Sequence, residues 1–261
     1  MDFRRPLTPD PTAFLPAADA VAKFAAALLV MLVGFLSRDP VTPAILLAGV
    51  ALGLAGSGLR PADLGRTVAP LLVAAAVLGL LNVLLAGTPA GAEPGTVADR
   101  AAVGLAVGLR IAVIALAGMV AVATTEPADL ANGLIVHLGV PPRLAIGALA
   151  TLRLVPVLGA EWRTIGLARR ARGVDAGRNP LVAARLAVVA LVIILVSTIR
   201  RATRLALAMD ARGFDSHRPR SVARPPRMRR GDWLLVAAAV VLGGSAILVS
   251  AALGSWRFLF G

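Results

Sequence analysis

Residues 161–180 read Glu161-Trp162-Arg163-Thr164-Ile165-Gly166-Leu167-Ala168-Arg169-Arg170-Ala171-Arg172-Gly173-Val174-Asp175-Ala176-Gly177-Arg178-Asn179-Pro180. The stretch holds five arginines and lies between two apolar runs, 144–160 and 181–199, each of which scores as a membrane helix by hydropathy. If both runs crossed a bilayer, these five arginines would form a short loop on the outer face, against the excess of Lys and Arg found in cytoplasmic loops. Keeping them inside makes 144–160 and 181–199 parts of a cytoplasmic region. That choice sets the topology of the whole chain.

Composition agrees with a membrane protein. The 261 residues are 58% hydrophobic, above the roughly 45–50% of soluble domains, and the apolar runs are continuous, unlike the alternating segments of a transmembrane barrel. Four runs come first, at about 21–36, 41–57, 68–86 and 103–123, and a fifth spans Trp233 to Leu253. Of the net charge of +13, residues 124–231 carry +12, from eighteen Arg against six Asp and Glu. With five spans, Arg4, Arg5, Arg60, Arg66 and this basic block fall inside, and only Arg38, Arg100 and Arg257 fall outside. The expected fold is an all-α integral membrane protein of about five transmembrane helices plus a cytoplasmic coupling region of three helices, two of them long. The expected divisions are a cytoplasmic N-terminal tail (1–19), four transmembrane helices (20–123), the cytoplasmic helices (124–231), and a fifth span with an extracytoplasmic C-terminus (232–261).

Helix signals subdivide the cytoplasmic block. Glu126-Pro127-Ala128-Asp129 starts a short helix that ends near Leu138 and Gly139, with acidic residues where the helix dipole favours them. A second helix starts at Pro141-Pro142 and runs to Arg172, with Gly173 as its stop. A third has Asn179 as N-cap and Pro180 in its first turn, and ends at Arg212 before Gly213.

Both long helices end in the same words. Leu167-Ala168-Arg169-Arg170-Ala171-Arg172-Gly173-Val174-Asp175 recurs forty positions later as Leu207-Ala208-Met209-Asp210-Ala211-Arg212-Gly213-Phe214-Asp215, identical at six of nine places. Helix capping accounts for an arginine and a glycine at one helix end. It requires neither the shared Leu-Ala nor the Asp that follows. The duplication points to two matched contact points, Ala171-Arg172-Gly173 and Ala211-Arg212-Gly213, each offering a planar, permanently charged fork to a partner's carboxylate or carbonyls.

Several functions are excluded by residue type. There is no cysteine, and only His137 and His217 offer imidazole. The single lysine, Lys23, lies in Ala22-Lys23-Phe24, so the chain has no Gly-Lys-Ser/Thr loop to hold nucleotide phosphates. The five spans contain no Asp or Glu of the kind that drives ion-coupled carriers. No catalytic, cofactor or metal residues are assigned, and the chain is not expected to be an enzyme. Gly49 with Gly53, and Gly104 with Gly108, are small-xxx-small pairs suited to close helix packing or to a contact with a membrane partner.

These motifs resemble those of the transmembrane T component of energy-coupling factor (ECF) transporters, prokaryotic importers of vitamins and metal ions. The resemblance spans roughly residues 16–255. It rests on the two Ala-Arg-Gly motifs, supported by Thr124-Thr125-Glu126-Pro127-Ala128-Asp129-Leu130, Leu138-Gly139-Val140-Pro141-Pro142-Arg143 and Leu152-Arg153-Leu154-Val155-Pro156. Asp19-Ala20-Val21-Ala22-Lys23 is similar to the family's Asp-Pro-Arg-Thr-Lys, without its Pro and Arg. The resemblance implies two ATP-binding cassette ATPases docked at Arg172 and Arg212, and a membrane-embedded substrate-binding S component that slides on the apolar surfaces of the coupling helices. It also implies a prokaryotic cell membrane location. The runner-up is the permease of a conventional ABC importer, which would present one coupling helix per half.

Overall fold

The computed structural model describes residues 13–37, 39–58, 61–85, 97–177, 179–213 and 228–254. They form helices α1 (Phe14–Ala17), α2 (Ala20–Leu36), α3 (Val41–Ala55), α4 (Pro61–Leu85), α5 (Val97–Ala123), α6 (Pro127–Leu138), α7 (Pro142–Ala171), α8 (Pro180–Ala211) and α9 (Arg230–Ala252). Among the described residues there is no strand, in agreement with the expected all-α fold. The chain divides into two compact units, Met1–Gly133 with Pro226–Gly261, and Leu134–Pro225.

In the first unit α2 packs on α9 and α5, α3 on α5 and α9, and α4 on α5. The core is built of small and branched residues: Ala26, Val30, Leu46, Val113, Ala117, Ala239 and Ala246 are buried together. Small residues suit a lipid setting, where burial between helices gives no hydrophobic gain and association rests on close packing. The α4–α5 contact is the extreme case. A Cβ on Gly104 would lie 2.6 Å from the Gly79 carbonyl oxygen, and one on Gly108 would lie 3.1 Å from the Ala75 oxygen. Gly79, not part of either sequence pair, is the third member of this backbone contact. Gly49 packs against α9, its Cβ position 2.3 Å from Leu242 Cδ2, whereas Gly53 meets nothing within 4 Å and borders an apolar cleft of about 290 Å³.

Polar contacts pin the helix ends. At one end Asp19 caps α2 by accepting from the Val21 amide at 2.8 Å, and its own amide donates to Asp232 Oδ1 at 2.8 Å. Lys23 Nζ donates to the Thr124 carbonyl at 2.7 Å, just past the end of α5. At the other end Asp39, in the turn between α2 and α3, accepts from Ser37 Oγ, from the Thr42 amide at 2.7 Å and from Ser250 Oγ at 2.7 Å. Arg110 reaches the same turn, donating from Nη2 to the Ser37 carbonyl. Helices α2 and α9 therefore run parallel, with their starts tied at one end and their finishes at the other.

This pairing constrains topology. Thr124, after α5, and Arg229, before α9, both lie at the end marked by Asp19 and Lys23. A segment that leaves and returns on the same side crosses a membrane an even number of times. So α7 and α8 either both cross or neither does.

Length and hydropathy do not choose between these. Five described stretches are long and apolar enough to span: 65–85, 100–123, 142–171, 180–211 and 230–252. The number equals the sequence expectation, but the membership differs. It includes α7 and α8, and it leaves out α2 and α3, which have 17 and 15 residues. At ~1.5 Å per residue those two reach only about 22–26 Å, short of a ~30 Å hydrocarbon core.

The Asp39 latch makes a prediction. Burial alone would raise its carboxyl pKa, but the hydrogen bonds from Ser37, Ser250 and Thr42 outweigh it and hold the group below its ordinary 3.8. A carboxyl depressed in the folded state adds stability above its unfolded pKa, and this is lost as pH falls through the folded one. Asp39→Asn is expected to lower the melting temperature in detergent at pH 6–7, with the gap from the parent closing below pH 3.8. A gap independent of pH would contradict this account.

Candidate functional site

The second unit is built on α7 and α8. Pro142 opens α7 in its first turn, where the missing amide costs no intrahelical bond. Asn179 caps α8, its Oδ1 accepting from the amides of Leu181 at 3.0 Å and Val182 at 3.4 Å. The turn between the helices carries Asp175, whose Oδ1 accepts from the Ala176 amide at 2.7 Å.

The two Ala-Arg-Gly stretches end the helices in the same way. In α7, Ala171 is the last helical residue, Arg172 is the C-cap, and Gly173 takes φ +74°. The Gly173 amide donates to the Arg170 carbonyl and the Val174 amide to the Arg169 carbonyl, both at 3.0 Å. This is the paired bonding of a Schellman termination, which needs a left-handed residue. In α8, Ala211 is last, Arg212 is the C-cap, and Gly213 takes φ +70° with its amide on the Asp210 carbonyl at 2.9 Å. The glycines are thus explained by backbone geometry. The arginines are not, for another residue could hold either C-cap position. Both Arg172 and Arg212 are exposed, each beside an exposed alanine. Phe214 and Asp215, the last members of the second copy, lie outside the described residues, as does His217.

The helices are antiparallel. Arg143, at the start of α7, pairs with Asp210 near the end of α8 (Nη2–Oδ1 3.2 Å). Arg169, near the end of α7, donates to the Leu186 carbonyl near the start of α8. Between these ends, Glu161 Oε1 accepts from Ser197 Oγ at 2.8 Å and Oε2 lies 2.9 Å from Arg201 Nη2. The two arginine tips therefore project from opposite ends of the hairpin. The repeat alone conveys the likeness of the tips but not their separation. Glu161, Ser197 and Arg201 were not distinguishable in the sequence, since nothing local tells a paired arginine from a solvated one.

The flanks of both helices are apolar and uncovered within the unit. Leu144, Leu152 and Val155 on α7, and Val188, Leu191, Val192 and Leu195 on α8, are all exposed. The richest 18-residue window of α8 has a mean hydropathy of 2.6, the highest of the five span-length helices.

Residues 12–221 match the family described as CbiQ, cobalt transport protein. The chain is 29% identical over 214 residues to the energy-coupling factor transporter transmembrane protein EcfT of Acidaminococcus fermentans, covering 75% of this chain and 77% of that one. With the protein of the same name from Lacticaseibacillus paracasei it shares 38% identity over 109 residues, 41% of each chain. It is also 29% identical over 222 residues to a protein of Bifidobacterium longum named as an ABC transporter ATP-binding protein, covering 79% of this chain but 28% of the longer one. The match thus spans less than half of the Lacticaseibacillus and Bifidobacterium relatives.

Proposed function

Because this chain belongs to the CbiQ family of cobalt transport proteins, we propose that it is the energy-coupling transmembrane subunit of an ECF-type ABC importer. In this reading two ATP-binding cassette ATPases dock at Arg172 and Arg212. Their ATP-driven closure moves the hairpin of α7 and α8, and the apolar flanks of the hairpin carry that motion to a membrane-embedded substrate-binding S component. The cargo is a vitamin or a metal ion. The chain itself hydrolyses nothing: the motor is a separate subunit.

The observation that carries this reading is the pair of matched helix ends, each presenting an exposed arginine at one end of an antiparallel hairpin. A matched pair of tips suits two copies of one ATPase, or two similar ones. The Bifidobacterium relative supports an ATPase partner, since there a segment like this chain makes up 28% of a protein named as ATP-binding.

The proposed orientation is N-terminus inside and C-terminus outside, with α2, α3, α4, α5 and α9 as spans and α6, α7 and α8 at the cytoplasmic face. Helices α2 and α3, of 17 and 15 residues, then span with help from their flanks.

Purification of the full-length chain from its own host in mild detergent tests the function. Recovery of ABC ATPases together with a small polytopic membrane protein is the expected result, and a chain recovered without ATPases would overturn it. Separately, the exposed Asp175 replaced by cysteine is expected to react with an impermeant maleimide only from the cytoplasmic side. Labelling in intact cells would refute the five-span arrangement.

A further inference from the structure

The repeat has a period of forty residues, and Glu161 and Arg201 are one period apart. Each precedes its Ala-Arg-Gly arginine by eleven residues, about three turns or roughly 16 Å of helix. They are also in contact, Oε2 to Nη2 at 2.9 Å, with Ser197 Oγ holding the other carboxylate oxygen at 2.8 Å. In a pair of like antiparallel helices, equivalent positions come together only near the two-fold axis that relates the helices. Elsewhere a residue faces a non-equivalent partner, as Arg143 faces Asp210 and Arg169 faces Leu186. The Glu161–Arg201 contact therefore marks a local pseudo-two-fold axis of the hairpin, midway between the two tips.

The charges at this point are opposite, which is how two equivalent positions can attract at an axis. The setting adds to the effect: Arg201 Nη1 is buried without a hydrogen-bond partner, and the side chains of Glu161 and Arg201 are 23% and 37% exposed. A partly desolvated ion pair is weakly screened, and losing either member leaves the other charge uncompensated. The Arg143–Asp210 pair at one end of the hairpin is more open, its side chains 45% and 48% exposed. Exposed pairs of that kind hold geometry weakly.

We propose that Glu161, Ser197 and Arg201 form the fulcrum of a pseudo-symmetric lever whose two arms end in Arg172 and Arg212. They are positioning residues: they fix where α7 and α8 meet, so that displacement of one tip is transmitted to the other. This rests on the coupling role proposed above, but the geometric part can be tested on the chain alone.

Spin labels are placed on cysteines at Ala168 and Ala208, equivalent and exposed positions one turn before the tips, in the full-length chain in lipid nanodiscs. The distance distribution between them is measured by pulsed electron resonance. The parent is expected to give one narrow distribution. Glu161→Gln and Arg201→Gln are each expected to broaden it at least two-fold, Ser197→Ala to a lesser extent, and the exchanged pair Glu161→Arg with Arg201→Glu to restore the narrow width. Parent-like widths in the single variants would overturn the fulcrum, as would an exchanged pair as broad as the singles. Should Glu161→Gln or Arg201→Gln fail to accumulate, Ser197→Ala alone decides, because it removes one hydroxyl and no charge. ATPase retention is scored in parallel. Loss of retention in the parent refutes the coupling role, whereas retention with unaltered widths in the variants refutes the fulcrum alone.

Discussion

Reversing both tip charges, Arg172→Glu with Arg212→Glu, is expected to abolish retention of the ATPase subunits while leaving the chain in the membrane. Both arginines are exposed at helix ends, where a partner can reach them. Seated in a partner's groove, each would make a desolvated, charge-assisted contact. Loss of one member of such a pair at an interface costs about 2–5 kcal/mol. Two losses, at ~1.4 kcal/mol per ten-fold, weaken binding by roughly three orders of magnitude or more. Single reversals are expected to be milder, since the second tip still tethers the assembly. Because Gly173 and Gly213 are kept, both left-handed terminations survive. A carboxylate near a helix C-terminus costs ~0.3–1 kcal/mol against the dipole, so Arg172→Gln with Arg212→Gln serves as control and should also release the ATPases. Undiminished co-purification in the double reversal would remove the docking role of the motif.

The second large effect is expected within the membrane unit. Gly104→Leu should lower the melting temperature in detergent by roughly 5–10 °C, whereas Gly244→Leu should leave it nearly unchanged. A Cβ at 104 would lie 2.2 Å from Val83 Cγ2, which can rotate away, and 2.6 Å from the Gly79 carbonyl, which cannot. The helices α4 and α5 must separate along the whole Gly79, Gly104 and Gly108 contact. Overpacking costs about 1–3 kcal/mol and more where backbone is involved, and each kcal/mol corresponds to ~2–4 °C in a chain of this size. In lipid the added leucine gains little in return, since its surroundings are as apolar outside the contact as within it. Gly244 has nothing within 4 Å of its Cβ position, so it reports the intrinsic cost of replacing a helical glycine. Equal destabilisation by the two variants would show that α4 and α5 are not held by this contact.

The helix boundaries of the coupling unit were legible residue by residue. Asn179-Pro180 starts α8, Pro141-Pro142 starts α7, and Gly139, Gly173 and Gly213 each take the positive φ that a helix stop requires. These features depend on backbone bonding within a few residues, so a local reading suffices. The likeness of the two tips was legible for the same reason. Membrane character was equally plain, but which apolar helices cross was not. Hydropathy responds alike to a lipid tail and to the apolar surface of a protein partner, and so α7 and α8 score beside α4, α5 and α9.

The sequence by itself thus determined the helices, their caps and the paired Ala-Arg-Gly ends, because local bonding and periodicity encode them. The tertiary structure decided what those parts are to one another. Ser250 closes on Asp39 across 211 positions, Lys23 holds Thr124 across 101, and Glu161 meets Arg201 one repeat away. It set the two arginines at opposite ends of one hairpin. Contacts of that kind depend on which helix faces shape and charge bring together, and no window of sequence shorter than the fold contains that information.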